Sequence, residues 1–301
     1  MPFVPTRDGQ ALYVRVIGRG QPVLMLPGLG MSSRQWLPFV LPNTRSFRFY
    51  MPDFRGHGRS LNVRLNQTDV FQNNTDDVRD VIDHFKLEDF LLAGISLGAT
   101  TAMHLQRETG LAGVRRYLHI DQSPNLLNGD DWSYGLAGDR QIAFFEQLRE
   151  TALLLLKHPE YSYFYQLPRT ARKRVSESVA KMMGLFGGAS AVSLVFKHVL
   201  PLMPGLLVRS FPLMHIEDIA AYLLAYSSGG HDYRPTLSKG VAPVTLMMGM
   251  QSALYASTGQ EWVADNAVSS SVVRFERSGH IPLIDEPGKF YREFTRFLRA
   301  E

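Results

Sequence analysis

The pentapeptide Gly94-Ile95-Ser96-Leu97-Gly98 follows the apolar run Phe90-Leu91-Leu92-Ala93 and precedes a helix-forming stretch over 99–107. One serine therefore falls where a buried strand turns sharply into a helix. Such a turn forces the serine into a sparsely populated backbone conformation, and glycines on either side let strand and helix approach closely. Strain of this kind costs about 1–3 kcal/mol and is retained where a fold uses it. An all-apolar strand is covered on both faces, which points to a sheet sandwiched between helix layers. The pentapeptide alone is a weak pattern in a chain with 25 glycines, so its flanks must carry the reading.

Those flanks alternate. Residues 11–17 read as a half-buried strand after the Asp8-Gly9 turn, 23–26 and 47–51 as short buried strands, and 33–40 as a short helix. Asn74-Thr75-Asp76-Asp77 reads as a helix start, with Val78, Val81, Ile82 and Phe85 spaced as one buried face. Strand 90–95, helix 99–107 and strand 116–120 follow. The alternation stops near Pro124 and resumes near Pro243 with strands 244–248 and 272–275 and a closing helix carrying Phe290, Phe294 and Phe297. The expected fold class is α/β, a doubly wound, mostly parallel sheet, with a core formed by 1–124 and 240–301. Residues 125–239 are expected as an inserted helical cap, with helices over 140–157, 171–185, 189–200 and 216–227. Its place is over the carboxyl ends of the strands, where open α/β sheets bind ligands.

Composition narrows the function. With 301 residues, 45% of them hydrophobic, the chain can bury a core that needs no covalent staples. It contains no cysteine, which excludes disulfides, thiolate metal sites and a cysteine nucleophile. The net charge of +4 is scattered rather than gathered into a basic stripe, so no nucleic-acid partner is expected. No secretory signal is visible after Met1, and the default compartment is cytoplasmic. The apolar stretches 189–196 and 199–208 are interrupted by Lys197-His198, Pro201, Pro204 and Gly205, short of the roughly 18 residues that a membrane span needs. No His-Glu-x-x-His and no dense carboxylate cluster occurs, so neither metal nor cofactor is expected. The sequence specifies no oligomeric state.

A serine hydroxyl is a poor nucleophile near neutral pH and needs a base held by a carboxylate. Among nine histidines, His280 is the candidate base, in Ser278-Gly279-His280-Ile281-Pro282 between the last strand and the last helix. His57 reads as a structural loop residue, and His84, His104 and His119 as packing or surface residues. His158, His198, His215 and His231 belong to the insertion, where His198 or His215 are candidates to touch substrate. After strand 244–248 stands Ser252, where a carboxylate would be convenient, and a serine cannot counter an imidazolium charge. Strand 116–120 instead ends in Asp121-Gln122-Ser123-Pro124. Asp121 is the expected acid, with a turn cap as its alternative role and Asp218, Asp232 and Asp265 as rivals. The backbone N–H groups of Leu97 and Leu29 are expected to form an oxyanion hole, Leu29 from the loop Pro27-Gly28-Leu29-Gly30-Met31. That loop lacks the Lys-Ser or Lys-Thr pair of a phosphate loop. Asp53-Phe54-Arg55-Gly56 reads as a structural ion-pair turn.

These pieces together resemble the α/β-hydrolase superfamily, in the branch of bacterial esterases, cofactor-free haloperoxidase-like hydrolases and haloalkane dehalogenases. The resemblance rests on Leu26-Pro27-Gly28-Leu29-Gly30, Asp53-Phe54-Arg55-Gly56-His57-Gly58-Arg59-Ser60, the pentapeptide around Ser96 and Ser278-Gly279-His280, and covers 7–124 and 240–299. The chain order Ser96, Asp121, His280 is that family's order of nucleophile, acid and histidine. Two departures stand out. Pro27 replaces the histidine that usually begins the oxyanion loop, and Ser252 stands where most relatives carry the acid. Some dehalogenases and lipases instead place it where Asp121 lies; dehalogenases use an aspartate nucleophile, which Ser96 opposes. The resemblance implies a serine hydrolase that cleaves a small apolar ester through an acyl-enzyme. Thioesterase, lactonase, amidase, carbon–carbon bond hydrolase and perhydrolase activities use the same triad, and a non-catalytic ligand-binding protein is the reading from another class. Aromatic residues of the insertion, among them Phe144, Phe145, Tyr161, Tyr163, Phe164, Tyr165, Phe186 and Phe196, are divided between core and pocket.

Overall fold

The computed structural model describes residues 3–183 and 215–300. The helix expected over 189–200, with His198, Phe186 and Phe196, lies outside the described residues.

Eight strands form one sheet: β1 (Phe3–Pro5), β2 (Ala11–Gly18), β3 (Gln21–Leu26), β4 (Phe47–Pro52), β5 (Phe90–Ile95), β6 (Val114–Ile120), β7 (Val244–Gly249) and β8 (Ser270–Phe275). Their spatial order is β1-β2-β4-β3-β5-β6-β7-β8. The pairs β1/β2 and β2/β4 are antiparallel and every later pair is parallel. The mostly parallel doubly wound sheet is therefore as expected, with the three-residue edge strand β1 added to it. Register brings the strand ends level: Leu26 pairs with Gly94, Ile95 with Ile120, and Ile120 with Met247. The loops leaving β3, β5, β6 and β7 thus emerge side by side at one edge.

Alternate residues of the same strands feed two cores, as the two-residue period requires. Val23, Met25, Leu91, Ala93 and Ile95 pack with Trp36, Phe39, Phe290, Phe294 and Phe297. Leu24, Leu26 and Leu92 pack with Phe71, Val78, Val81 and Met103 on the opposite face. The helices that supply these layers are α1 (Leu37–Val40), α2 (Val70–Phe85), α3 (Leu97–Thr109) and, at the end of the chain, α9 (Pro287–Arg299). Burying each phenylalanine of α9 contributes about 1.5–3 kcal/mol.

Between β6 and β7 lie α4 (Gln141–Leu156), α5 (Arg169–Met183) and α6 (Ile216–Ser227), each within two residues of its expected bounds. α6 reaches the sheet-covering layer, where the Tyr222 hydroxyl donates to Asn74 Oδ1 at 3.1 Å and Arg64 pairs with Asp218 at 2.9 Å. After β7 come α7 (Ser257–Asp265), a helix not among those expected from the sequence, and the single turn α8 (Pro282–Asp285). No helix among the described residues is long and apolar enough to cross a membrane.

α2 begins four residues earlier than expected. Its N-cap is Asp69, whose carboxylate accepts the N–H groups of Phe71 and Gln72. The polar run 74–77 lies inside the helix because its members have buried partners: Asn74 meets Tyr222, Thr75 bonds back to Phe71 O, and Asp77 meets Arg55. Asp69 also ties the helix to the chain returning from α6. Arg107 donates to His231 Nδ1 at 3.1 Å, so the proton sits on Nε2, which donates to Asp69 Oδ2 at 2.6 Å. Burial pushes the Asp69 carboxyl up, but the His231 and backbone hydrogen bonds outweigh it and hold it down, at about 2. Asp69→Ala is therefore expected to cost about 1 kcal/mol or more at neutral pH. Because the folded value is depressed, that contribution is present above the unfolded carboxyl value near 4 and is lost as pH falls toward about 2. Denaturant titrations of both proteins across this window should show the two stabilities converging.

Candidate active site

Ser96 closes β5 with φ 52° and ψ −117°, and α3 begins at the next residue. A Cβ at position 94 would lie 2.6 Å from Gly98 O, and one at position 98 would lie 2.2 Å from Leu26 O. Both distances are below contact, so glycine at these two sites is what allows β5, β3 and α3 to meet. The turn is pinned by the Ser96 N–H on Ile120 O (3.0 Å) and the Thr100 N–H on Ser96 O (2.9 Å).

His280 sits in the loop between β8 and α8, anchored where the Gly279 N–H donates to Asp285 Oδ2 at 2.8 Å. Its Nε2 lies 2.9 Å from Ser96 Oγ and its Nδ1 lies 2.7 Å from Asp121 Oδ1. Facing a carboxylate, Nδ1 carries the proton and donates, which leaves Nε2 bare to accept the serine hydroxyl. The structure thus brings Ser96, His280 and Asp121 into one hydrogen-bonded line.

Asp121 follows β6 with φ 42° and is fully buried. Besides His280, its carboxylate accepts the Gly249 N–H at 2.7 Å, the Ser252 hydroxyl at 2.9 Å and the Gln260 amide at 3.3 Å. A buried charge is tolerated only when it is paired and hydrogen-bonded, and four donors meet that demand. The rival carboxylates stand elsewhere: Asp218 on Arg64, Asp232 on Arg234, and Asp265 exposed at the end of α7.

The loop 27–31 lies against the serine turn, since a Cβ on Gly28 would be 3.5 Å from Ser96 Cβ. The Met31 N–H donates to Gly28 O, closing a tight turn after Pro27. The N–H of Leu97 is the first of α3 and has no acceptor within its helix. Neither it nor the Leu29 N–H donates to another described residue.

Other expectations needed revision. Asp53 and Arg55 do not pair with each other. The Asp53 carboxylate accepts the N–H groups of Ser33 (2.5 Å) and Arg59 (2.8 Å), whereas Arg55 is buried and pairs with Asp8 and Asp77 at 2.6 Å each. His57 is buried with Nδ1 on Arg55 O, and burial lowers its pKa. The His215 ring packs at a tilt of 48° against Tyr163, with ring centres 4.4 Å apart. His119 does more than pack. The Tyr117 hydroxyl meets its Nδ1 at 2.9 Å, and its Nε2 donates to Gln122 O at 2.9 Å, bracing the turn after Asp121. Burial lowers its pKa to about 4, so the ring is neutral. The Gln122 amide donates to Thr100 Oγ1 at 2.6 Å, linking that turn to the first turn of α3. Nothing in the sequence marks Gln122 and Gln260 as parts of this assembly, and Ser252 reads there only as the absence of a carboxylate.

Known proteins share this arrangement of elements. The chain is 24% identical over 291 residues, 96% of its own length and 98% of the relative's, to a pimeloyl-[acyl-carrier protein] methyl ester esterase of Nitrosospira multiformis. It is 33% identical over 136 residues, 44% of its length and 48% of the relative's, to 3-oxoadipate enol-lactonase 1 of Acinetobacter baylyi. In fold it is similar to an esterase from Exiguobacterium antarcticum, with TM-score 0.71 and 22% identity over 99% of each chain. The family model described as "Alpha/beta hydrolase family" matches residues 23–293, most of the chain, and the chain belongs to that family.

Proposed function

We propose that this protein is a serine hydrolase that cleaves carboxylic esters of an apolar acyl or alcohol group. The observation that carries the reading is the line Ser96 Oγ, His280, Asp121, with contacts of 2.9 and 2.7 Å. Ser96 Oγ attacks the ester carbonyl carbon while His280 Nε2 takes its proton, and Asp121 holds the imidazolium that forms. The Leu29 and Leu97 N–H groups point their charge at the developing oxyanion, each contributing about 2.7–4 kcal/mol to the transition state. Collapse expels the alcohol, which receives the proton from His280. Water then attacks the acyl-enzyme by the same steps in reverse, releasing the acid and restoring Ser96. The core runs over 1–124 and 240–301, and 125–239 caps it, supplying the apolar surface that the acyl or alcohol group covers. The cysteine-free composition fits a reducing cytoplasm.

Lactone opening is the second reading, favoured by the 33% identity to an enol-lactonase over the stretch that aligns. A lactone is an ester whose alcohol remains tethered, so the same steps serve. The test is incubation with a serine-directed fluorophosphonate and with short- and medium-chain p-nitrophenyl esters, alongside a simple γ-lactone. Labelling at Ser96 and ester turnover are expected. Absence of both overturns the hydrolase reading, and turnover of the lactone alone shifts it to the second.

A further inference from the structure

The two oxygens of the Asp121 carboxylate have different company. Oδ2 accepts the Gly249 N–H and the Gln260 amide, at 2.7 and 3.3 Å. Oδ1 accepts the His280 Nδ1–H at 2.7 Å and the Ser252 hydroxyl at 2.9 Å. Ser252 is thus the side chain that shares with His280 the oxygen they both bind. The direction of its hydrogen follows from its other contact. The Tyr255 N–H reaches Ser252 Oγ at 3.5 Å, which turns the serine's own proton toward Asp121. The residue is held there by a turn in which the Ser252 N–H donates to Gly249 O at 3.1 Å, the same glycine whose N–H binds Oδ2. A single turn after β7 therefore grips both oxygens of a carboxylate delivered by β6.

We propose that Ser252 is a positioning residue for the acid: its hydroxyl fixes the rotation of the Asp121 carboxylate and shares the charge on the oxygen that faces His280. The assignment rests on the proposed reading of Ser96, His280 and Asp121. Sharing matters because a hydrogen bond to an anion draws charge toward its donor. With Ser252 present, Oδ1 divides its charge between hydroxyl and imidazole; without it, the whole of that charge acts on the ring. An imidazolium beside a more concentrated negative charge releases its proton less readily. Two other titratable groups, Tyr255 and Asp285, lie close to His280. The Tyr255 ring lies 5.5 Å from the imidazole and burial raises its phenol, so it is neutral. Asp285 on α8 takes the Gly279 N–H at 2.8 Å and the Ser278 hydroxyl at 3.3 Å. The two contacts of Asp285 do not involve Ser252, and Ser252→Thr keeps the hydroxyl that the Tyr255 N–H reaches.

The test compares the wild type with Ser252→Ala and Ser252→Thr. Ser252 is partly exposed in a turn, so loss of one hydroxyl leaves the fold intact, which a thermal melt checks. In Ser252→Ala, kcat/KM for a p-nitrophenyl ester is expected to fall about tenfold, the scale of one hydrogen bond to a charged group. The midpoint of the acidic limb of its pH profile is expected to rise by about half to one unit, and Ser252→Thr to restore both. A purely structural role lowers the rate or the melting temperature and leaves that midpoint where it was. The same midpoint is read without turnover from the imidazole proton signals of His280 in NMR titrations. A shift in Ser252→Ala that Ser252→Thr reverses supports the proposal, even in a protein that hydrolyses no ester, where the functional reading alone fails. An unmoved midpoint in Ser252→Ala overturns it, whether or not the wild type is an active esterase.

Discussion

Ser96→Ala is expected to lower ester turnover at least about a thousandfold and to abolish labelling by a fluorophosphonate. In the proposed mechanism the substitution removes the atom that forms the acyl bond, and the nearby described hydroxyl does not replace it: Thr100 Oγ1 is directed back at Ser96 O and accepts the Gln122 amide. The fold should be spared. Alanine keeps the Cβ and meets the same φ of 52° that serine already tolerates, so the backbone strain is unchanged. A melting temperature close to that of the wild type, together with lost turnover, would assign the defect to chemistry. Retained turnover would move the nucleophile elsewhere and dismantle the proposed mechanism.

Asp121→Asn is expected to reduce kcat about a thousandfold to ten-thousandfold. Asparagine has the shape of aspartate but one acceptor oxygen and two N–H donors. Four donors, from Gly249, Ser252, Gln260 and His280, converge on this side chain. An amide oriented to satisfy Gly249 and Gln260 presents its NH2 to His280 and Ser252. The imidazole then loses its Nδ1–H acceptor, its tautomer inverts, and Nε2 holds a proton where it must accept one. Unlike Ser96→Ala, this variant should also be less stable, because buried donors left facing a donor cost about 1–3 kcal/mol each. Steady-state kinetics and denaturant unfolding on the same preparation separate the two effects. Near wild-type rates would mean that another carboxylate holds His280, although Asp218 and Asp232 are engaged by Arg64 and Arg234.

What could be read in advance followed the range over which sequence rules act. Strand–turn–helix geometry at Ser96 depends on glycines within two residues of it, and the alternation of strand and helix on periods of two and 3.6 residues. Those rules located seven of the eight strands and the principal helices. They failed where a long-range contact overrode a local signal. The acids and amides at 74–77 resemble a helix start, yet they lie inside α2 because Tyr222 and Arg55 satisfy them from distant parts of the chain. The pair expected within Asp53-Phe54-Arg55 dissolved for the same reason, as Arg55 found Asp8 and Asp77 instead.

The strand–turn–helix at Ser96, the doubly wound sheet and the three residue types of the proposed site are legible in the chain, since each is written in short stretches with local physical causes. The hold on the Asp121 carboxylate exists only in the folded chain. The partners of Asp121 lie 128, 131, 139 and 159 residues away, at Gly249, Ser252, Gln260 and His280. Nothing local marks them as a set. They meet because β6, β7 and β8 pair in parallel with their ends level, so the segments beyond those ends are forced together around one buried charge that must be satisfied.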